Sequence, residues 1–261
     1  MLRIRSSKCS PLFSGPIGGL TAKQKETLAD LLSKIELTTK QAEERDRLQQ
    51  KERESNELPE GAKTLIQDII DERLYEYRVE LDKRELEKGW AVESESIDRY
   101  NRLFFTDYKK LEDGDMYASL EHDISRGHPD VVDDRELLVL DVKSSWNKKT
   151  FPKTETKATK KVRESGYDWQ VKHYLYMLRK MTGKDWRKGM VAYVLCSTPE
   201  ELVPEWEGDQ LHYVDHLPDN MLVTRVPLFL DDYEIEFMEA RLESAEKYAN
   251  EYIKYLTNKN L

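Results

Sequence analysis

Apolar positions along this 261-residue chain change their spacing from helical to strand-like and back, and the changes mark out its elements. From Thr21 to Glu36, Leu28, Leu31, Leu32 and Ile35 fall at i, i+3, i+4 and i+7, which predicts an amphipathic helix N-capped by Thr21. Lys40 to Glu54 holds ten charged residues in fifteen and reads as a solvated helix. Asn56 to Gly61 breaks that pattern. A third helix is predicted from Ala62 to Leu81, with Leu65, Ile66, Ile69, Ile70, Leu74 and Tyr77 on one face. Leu137 to Leu140 and Met190 to Leu195 are short, continuous apolar runs of the kind that fill buried central strands. Met221 to Phe229 is a third run, marked as an edge strand by Pro227, which has no N–H for a second neighbour. A helix from about Asp168 to Met181 lies between the first two runs, and a long helix follows Asp231-Asp232 with Ile235, Met238, Leu242, Ala245, Tyr252 and Leu256 at helical spacing. Strands separated by helices predict an α/β fold, a mixed central sheet flanked by helices, behind an N-terminal helical layer. The expected division is 1–85 for the basic segment and helical layer and 86–261 for the core, in one continuous globular unit.

Composition narrows the class. Charged residues make up 36% and hydrophobic residues 38%, yet 14 Tyr and 5 Trp separate the chain from disordered compositions. No apolar run approaches the roughly 20 residues that span a bilayer, so no membrane partner is expected. Cys9 and Cys196 are far apart, have no metal-ligand spacing, and fit free thiols in a reducing, cytoplasmic setting. The first 25 residues hold Arg3, Arg5, Lys8, Lys23 and Lys25 and no acid. Ser10-Pro11 and Gly15-Pro16 interrupt any amphipathic targeting helix, so this segment reads as a basic surface strand or loop. A net charge of −9 argues against non-specific coating of DNA, and any nucleic-acid footprint must be local.

The candidate chemistry lies between Gly127 and Lys143. The segment reads as strand, polar turn at Asp133-Asp134, then strand. Asp141 and Lys143 are two apart, so on a strand they share a face, while Val142 points into apolar packing. One reading is an exposed ion pair at a strand end. The other is a divalent-metal site, because a buried charge is costly unless it is paired or ligates a metal. Asp130 and Asp141 on neighbouring strands would supply two carboxylates for Mg²⁺, and Lys143 would hold or activate water or offset phosphate charge.

Pro129-Asp130, ten intervening residues, then Asp141-Val142-Lys143 resembles the signature of the PD-(D/E)XK nuclease superfamily. Gly89-Trp90-Ala91-Val92-Glu93, running on to Ile97 and Tyr100, resembles the G-x-x-x-E helix of lambda exonuclease and YqaJ-type viral recombinase nucleases. Gly127 to Asp130 fits the G-x-x-D element of RecB-like nucleases, and Gln170 to Tyr174 fits their Q-x-x-x-Y helix. The ordered set spans Lys88 to Leu178, roughly a third of the chain. Asp141 stands where Glu is commoner, which shortens the ligand and keeps its type.

The resemblance implies a DNA exonuclease acting on linear duplex ends. Asp130, Asp141, Glu93 and the Val142 carbonyl would hold Mg²⁺, with Mn²⁺ able to substitute, while Lys143 would act on water and Gln170 and Tyr174 would line the site. It further implies 5′→3′ resection, a homo-oligomeric ring, and a single-strand annealing protein as partner, in a bacterial or phage-infected cell. The alternatives are a RecB-like nuclease on single-stranded DNA, of the branch without an iron–sulfur cysteine set, and a non-catalytic DNA-end or protein-binding module. Arg3 to Ser7 resembles the Arg/Ser segment that precedes the core in lambda-type exonucleases and helps bind the DNA end. His128 is a further candidate ligand, ahead of His122 and His173. From Lys148 to Arg163, Lys148, Lys149, Lys153, Lys157, Lys160, Lys161 and Arg163 face one acid, Glu155, with Trp146, Phe151, Tyr167 and Trp169 in or beside the segment. Basic charge beside aromatics suits phosphates and unpaired bases; the alternative is a solvated loop. No G-x-x-x-x-G-K-[ST] motif is present, so the chain is not itself a helicase motor.

Overall fold

The computed structural model describes residues 2–14, 20, 22–34, 37–77 and 84–258. In chain order its elements are β1 (Ile4–Arg5), α1 (Ser10–Phe13), α2 (Ala22–Ser33), α3 (Thr39–Asn56), α4 (Glu60–Leu74), α5 (Arg84–Ala91), α6 (Glu93–Phe104), β2 (Leu120–His122), β3 (Ser125–Gly127), β4 (Val131–Asp133), β5 (Leu138–Ser144), α7 (Glu155–Glu164), α8 (Tyr167–Thr182), β6 (Lys188–Val194), β7 (Val223–Phe229) and α9 (Asp232–Asn258). Thr21, Ile35 and Glu36 of the first expected helix lie outside the described residues. Among the described residues no helix is long and apolar enough to cross a membrane.

The chain divides into two compact units, drawn differently from the expected 1–85 and 86–261. One comprises 1–2, 11–77 and 231–261; the other comprises 3–10 and 78–230. The last helix groups with the N-terminal ones because their apolar stripes match. Ala62, Ile66 and Ile70 of α4 are buried, as are Phe237, Met238, Leu242, Ala245 and Ala249 of α9. Gln67 donates to the Tyr248 hydroxyl at 2.7 Å, and Arg241 donates to the Glu57 carbonyl. In the same unit Leu20, Leu28, Leu31 and Leu48 form a small cluster with Leu37 beside it, so α3 contributes little apolar surface, as its charge density implies. The α4 helix ends at Leu74, short of the expected Leu81. Glu76 adopts φ 55°, a left-handed conformation that closes the helix, and Leu74 and Tyr77 are exposed.

The other unit is built on a four-stranded sheet in the order β4-β5-β6-β7. The β4–β5 hairpin is antiparallel, with Val131 opposite Leu140. Asp133 caps its turn, its carboxylate accepting from the Arg135 and Glu136 N–H groups. The parallel β5–β6 pair, with Lys143 opposite Tyr193, is joined through α7 and α8, as a parallel connection requires. Among the described residues the β7 strand pairs only on its β6 side, with Pro227 opposite Met190, which agrees with the edge position expected. A second sheet, β1-β3-β2, comes from strands of two or three residues, too short to show a period. The unit is therefore mixed α/β with two mixed sheets rather than one. On one face of the larger sheet, Leu140, Val142, Ala192, Val194 and Val223 pack with Val92, Ile97 and Tyr100 of the α5–α6 region. On the other, α8 lies so close to β6 that a Cβ on Gly189 would meet Val171 Cγ1 at 2.5 Å. Charged groups on that second face therefore stand between sheet and helix.

Candidate active site

Alternation along β5 places Val142 against the α6 cluster and leaves Asp141 and Lys143 on the α8 side. Asp141 is 1% exposed, and its Oδ2 lies 2.8 Å from Lys143 Nζ. Beyond this ion pair with Lys143, Oδ2 is a buried oxygen with no other partner among the described residues. Asp141 Oδ1 accepts from Gln170 Nε2 at 3.1 Å. Gln170 also donates to the Tyr174 hydroxyl at 2.9 Å, and that hydroxyl donates to the His128 carbonyl at 3.0 Å. A relay of fixed groups thus runs from β5 across one turn of α8 to the segment before Asp130. Both Gln170 and Tyr174 are buried, where the sequence left Gln170 equally open to a surface role.

Asp130 is held from the strand side, its Oδ2 accepting from the Val142 N–H at 2.6 Å. Burial, and then the neighbouring Asp141 charge, push its pKa well above the usual carboxylate range. Burial also raises Asp141, even with Lys143 opposing it. Burial works against the Lys143 ammonium, but Asp141 and Asp130 outweigh it and hold it above the ordinary lysine value. Lys143 is therefore a standing positive charge at neutral pH, suited to orienting groups and offsetting anionic charge rather than taking a proton. Its Nζ also sits 4.5 Å above the Tyr167 ring, a cation–π contact with no trace in the motif.

Glu93 begins α6, and the expected G-x-x-x-E helix is split in two at Val92, whose φ/ψ of −108°/10° break the helical run. Glu93 and Asp130 line one cavity of about 460 Å³ together with Lys143, Lys161, Tyr167 and Tyr193. The Glu93 carboxylate is held by Lys110 at 2.6 Å. Among the described residues no three acids, histidines or cysteines form a ready-made metal cluster. The expected convergence is thus close for Asp130 and Asp141, while Glu93 faces the same cavity with a lysine on it. Lys110 lies in an irregular stretch without a pattern and was missed from sequence. So was Lys88, a buried ammonium donating to the carbonyls of Ser145, Trp146 and Cys196 at 2.8, 2.9 and 2.8 Å, which ties α5 to the ends of β5 and β6. Burial lowers its pKa to about 8.

His122, His128 and His173 each have polar partners of their own. His128 Nδ1 faces the Ala118 carbonyl at 2.9 Å, and only its own carbonyl joins the relay. His122 Nδ1 lies 3.0 Å from Asp123. His173 is fully buried between the Ser6 hydroxyl, 3.0 Å from Nδ1, and the Ser125 hydroxyl, 2.8 Å from Nε2, which pins the N-terminal segment to β3 and α8. Burial lowers its pKa from 6.5 to about 3. The unfolded chain binds a proton here between those values and the folded chain does not. The stabilising contribution is complete above pH 6.5 and is lost as pH falls towards 3, at about 1.4 kcal/mol per pH unit. Urea unfolding across that window should therefore show a steeper acid loss for the parent than for His173→Gln; parallel slopes would rule the histidine out.

The expected basic loop is partly helical. Thr154 caps α7, accepting from the Lys157 N–H, so Lys157, Lys160, Lys161 and Arg163 lie on a helix. Only Lys161 of this set reaches the cavity. Lys148 and Lys153 donate to the carbonyls of Gln210 and Lys148, Lys160 lies 3.6 Å from Glu164, and Lys149, Lys157 and Arg163 are exposed. Phe151 is buried and offers no stacking surface, and Trp169 carries the Lys172 ammonium 5.3 Å from its ring centre. At the N-terminus the two arginines part company. Arg3 donates to the Asp123 carbonyl, whereas Arg5, with Ser6, Ser7 and Arg126, lines a second cavity of about 400 Å³ whose wall includes Gln170 and Tyr174.

No family model matches this chain, and no curated protein matches it. Solved structures similar to it include a phage-related exonuclease from Haemophilus somnus 129PT, 20% identical with a TM-score of 0.74, over 98% of this chain and 96% of that one. An alkaline exonuclease (LHK-Exo) from Laribacter hongkongensis is 13% identical with a TM-score of 0.52, over 99% and 93%. At such identities the likeness is one of fold: this chain has the mixed α/β fold of those exonucleases.

Proposed function

We propose that this chain is a divalent-metal-dependent DNA exonuclease that resects linear duplex ends 5′→3′. The observation that carries the reading is the buried Asp141 and the cavity-lining Asp130 side by side with Lys143, on a fold shared with exonucleases. Asp141 Oδ2, buried with only the Lys143 ammonium beside it, and an all-oxygen donor set fit a hard cation such as Mg²⁺, or Mn²⁺ in its place. Asp130, Asp141, the Val142 carbonyl and Glu93 are the residues that would hold it. When bound, such a cation supplies Lewis acidity at a phosphodiester and activation of water near neutral pH. The chain's own groups do the rest. Gln170, fixed by Tyr174, holds Asp141 in one rotamer. The Lys143 ammonium, steadied over Tyr167, offsets negative charge growing on the phosphate oxygens and orients the attacking water.

The second cavity supports the polarity. Two guanidinium side chains, Arg5 and Arg126, border the same Gln170–Tyr174 wall as the carboxylates, which suits the terminal phosphate of a DNA end. Lys161 and the exposed Lys149, Lys157 and Arg163 would follow the backbone. In this reading the enzyme works as a ring of identical chains, with a single-strand annealing protein taking the exposed strand, in the cytoplasm of a bacterial or phage-infected cell.

The test is blunt linear duplex labelled at either end and incubated with Mg²⁺ or with EDTA. Release of the 5′ label first, with complete arrest by EDTA, is expected. Digestion of single strands alone would replace the duplex reading with a RecB-like one, and no Mg²⁺-dependent release would leave only a binding module.

A further inference from the structure

Ser145 directly follows the last residue of β5, two residues beyond Lys143, at the cavity that Lys143 lines. In the parallel β5–β6 pair Lys143 stands opposite Tyr193, so the Tyr193 side chain rises from the same face one strand over. Both residues line the cavity that holds Glu93 and Asp130. Ser145 is 4% exposed and Tyr193 2%, and neither hydroxyl has a hydrogen-bond partner among the described residues. Such a buried, unpaired hydroxyl is destabilising, and proteins retain few of them. Two on one wall of a candidate active site, with the buried Asp141 oxygen nearby, is a concentration that packing does not explain.

The surroundings select what these hydroxyls await. Lys161 Nζ lies 5.1 Å over the Tyr193 ring and Lys143 Nζ 4.5 Å over the Tyr167 ring, and the two rings stand 6.4 Å apart. The wall therefore carries two ammonium groups held on two touching tyrosines. The Lys161 ammonium donates to the Thr150 carbonyl at 2.8 Å, and burial lowers its pKa. Hydroxyl donors on a wall that also carries two cations favour an anionic acceptor. The backbone of Ser145 is fixed on both sides, its N–H donating to the Val194 carbonyl at 2.8 Å and its carbonyl accepting from Lys88, so the hydroxyl is pre-positioned.

We infer that the Ser145 and Tyr193 hydroxyls, with the Lys161 ammonium, form an anion subsite that donates to a non-bridging oxygen of the DNA phosphate at the reacting end. This rests on the nuclease reading and adds to it two donors that no motif contains. Since the hydroxyls are unpaired in the free protein and paired only with substrate, their removal separates stability from activity.

Tyr193→Phe and Ser145→Ala are to be compared with the parent by thermal unfolding and by steady-state release of nucleotides from blunt duplex in Mg²⁺. The expected result for each is a melting temperature equal to or above the parent's, with kcat lowered on the order of 10²-fold and KM little changed. A melting temperature that falls while kcat stays at the parent's value would make the hydroxyls structural and overturn the inference. So would parental activity with unchanged stability in both variants. A parent that releases nothing in Mg²⁺ would instead refute the nuclease reading itself, and this inference with it.

Discussion

Asp141→Asn is expected to abolish Mg²⁺-dependent release of nucleotides, with kcat falling on the order of 10³-fold or more. The asparagine keeps the shape of a side chain that is 1% exposed and keeps an oxygen for the Gln170 donor. What disappears is the charge that pairs with Lys143 and would attract a cation. Folding should change little, because the lost pairing is offset by relief from burying a carboxylate beside Asp130. A second readout separates cation binding from catalysis. Mn²⁺ should raise the melting temperature of the parent by mass action and raise that of the variant much less. Parental activity in the variant, or an equal Mn²⁺ response, would remove Asp141 from the proposed site.

Gly127→Ala should have the next largest effect, although Gly127 carries no functional group. A Cβ there would stand 2.5 Å from Tyr174 Cε1 and 2.6 Å from Ser6 Oγ, closer than atoms tolerate. Neither neighbour can yield freely. The Tyr174 hydroxyl is held by Gln170 and the His128 carbonyl, and Ser6 is held by His173 and the Arg126 carbonyl. The added methyl therefore moves the relay that orients Asp141. We expect a loss of about 10²-fold in kcat, the scale of an ångström-level misplacement, together with about 1–3 kcal/mol of overpacking. Kinetics and urea unfolding on the same preparation measure both. An unaltered rate would show that Tyr174 and Gln170 do not transmit geometry to the carboxylates. This close contact also gives a packing reason for the first residue of Gly127-His128-Pro129-Asp130.

What could be read along the chain was local. Residues two apart share a strand face, so Asp141 and Lys143 were legible as neighbours and Val142 as their apolar counterpoint. Residues four apart share a helix face, so Gln170 and Tyr174 were legible as partners. Pro227 announced an edge, and Asp133 and Asp134 announced the hairpin turn before β5. The thin charged helix α3 and the buried runs of β5 and β6 were equally plain.

Other features had no local signal. A basic stretch from Lys148 to Arg163 looks alike whether it is loop or helix, and only the Thr154 cap and the buried Ala158 and Val162 make its second half α7. The amphipathic α9 carries the same stripe whichever partner it finds, and its match with α4 is a matter of complementary surfaces.

Sequence by itself determined the fold class and the shared faces of β5 and α8, which follow from repeats of two and about four residues, while Asp130, Asp141, Lys143, Gln170 and Tyr174 stood out as one candidate set through their resemblance to the PD-(D/E)XK motifs. Tertiary structure alone decided that Lys110 would hold Glu93, that Ser6 would meet His173, and that Tyr193 would stand across from Lys143 with an unpaired hydroxyl. Those pairings join residues 17, 167 and 50 positions apart. Strand register and helix docking bring them together, and no period in the chain encodes either.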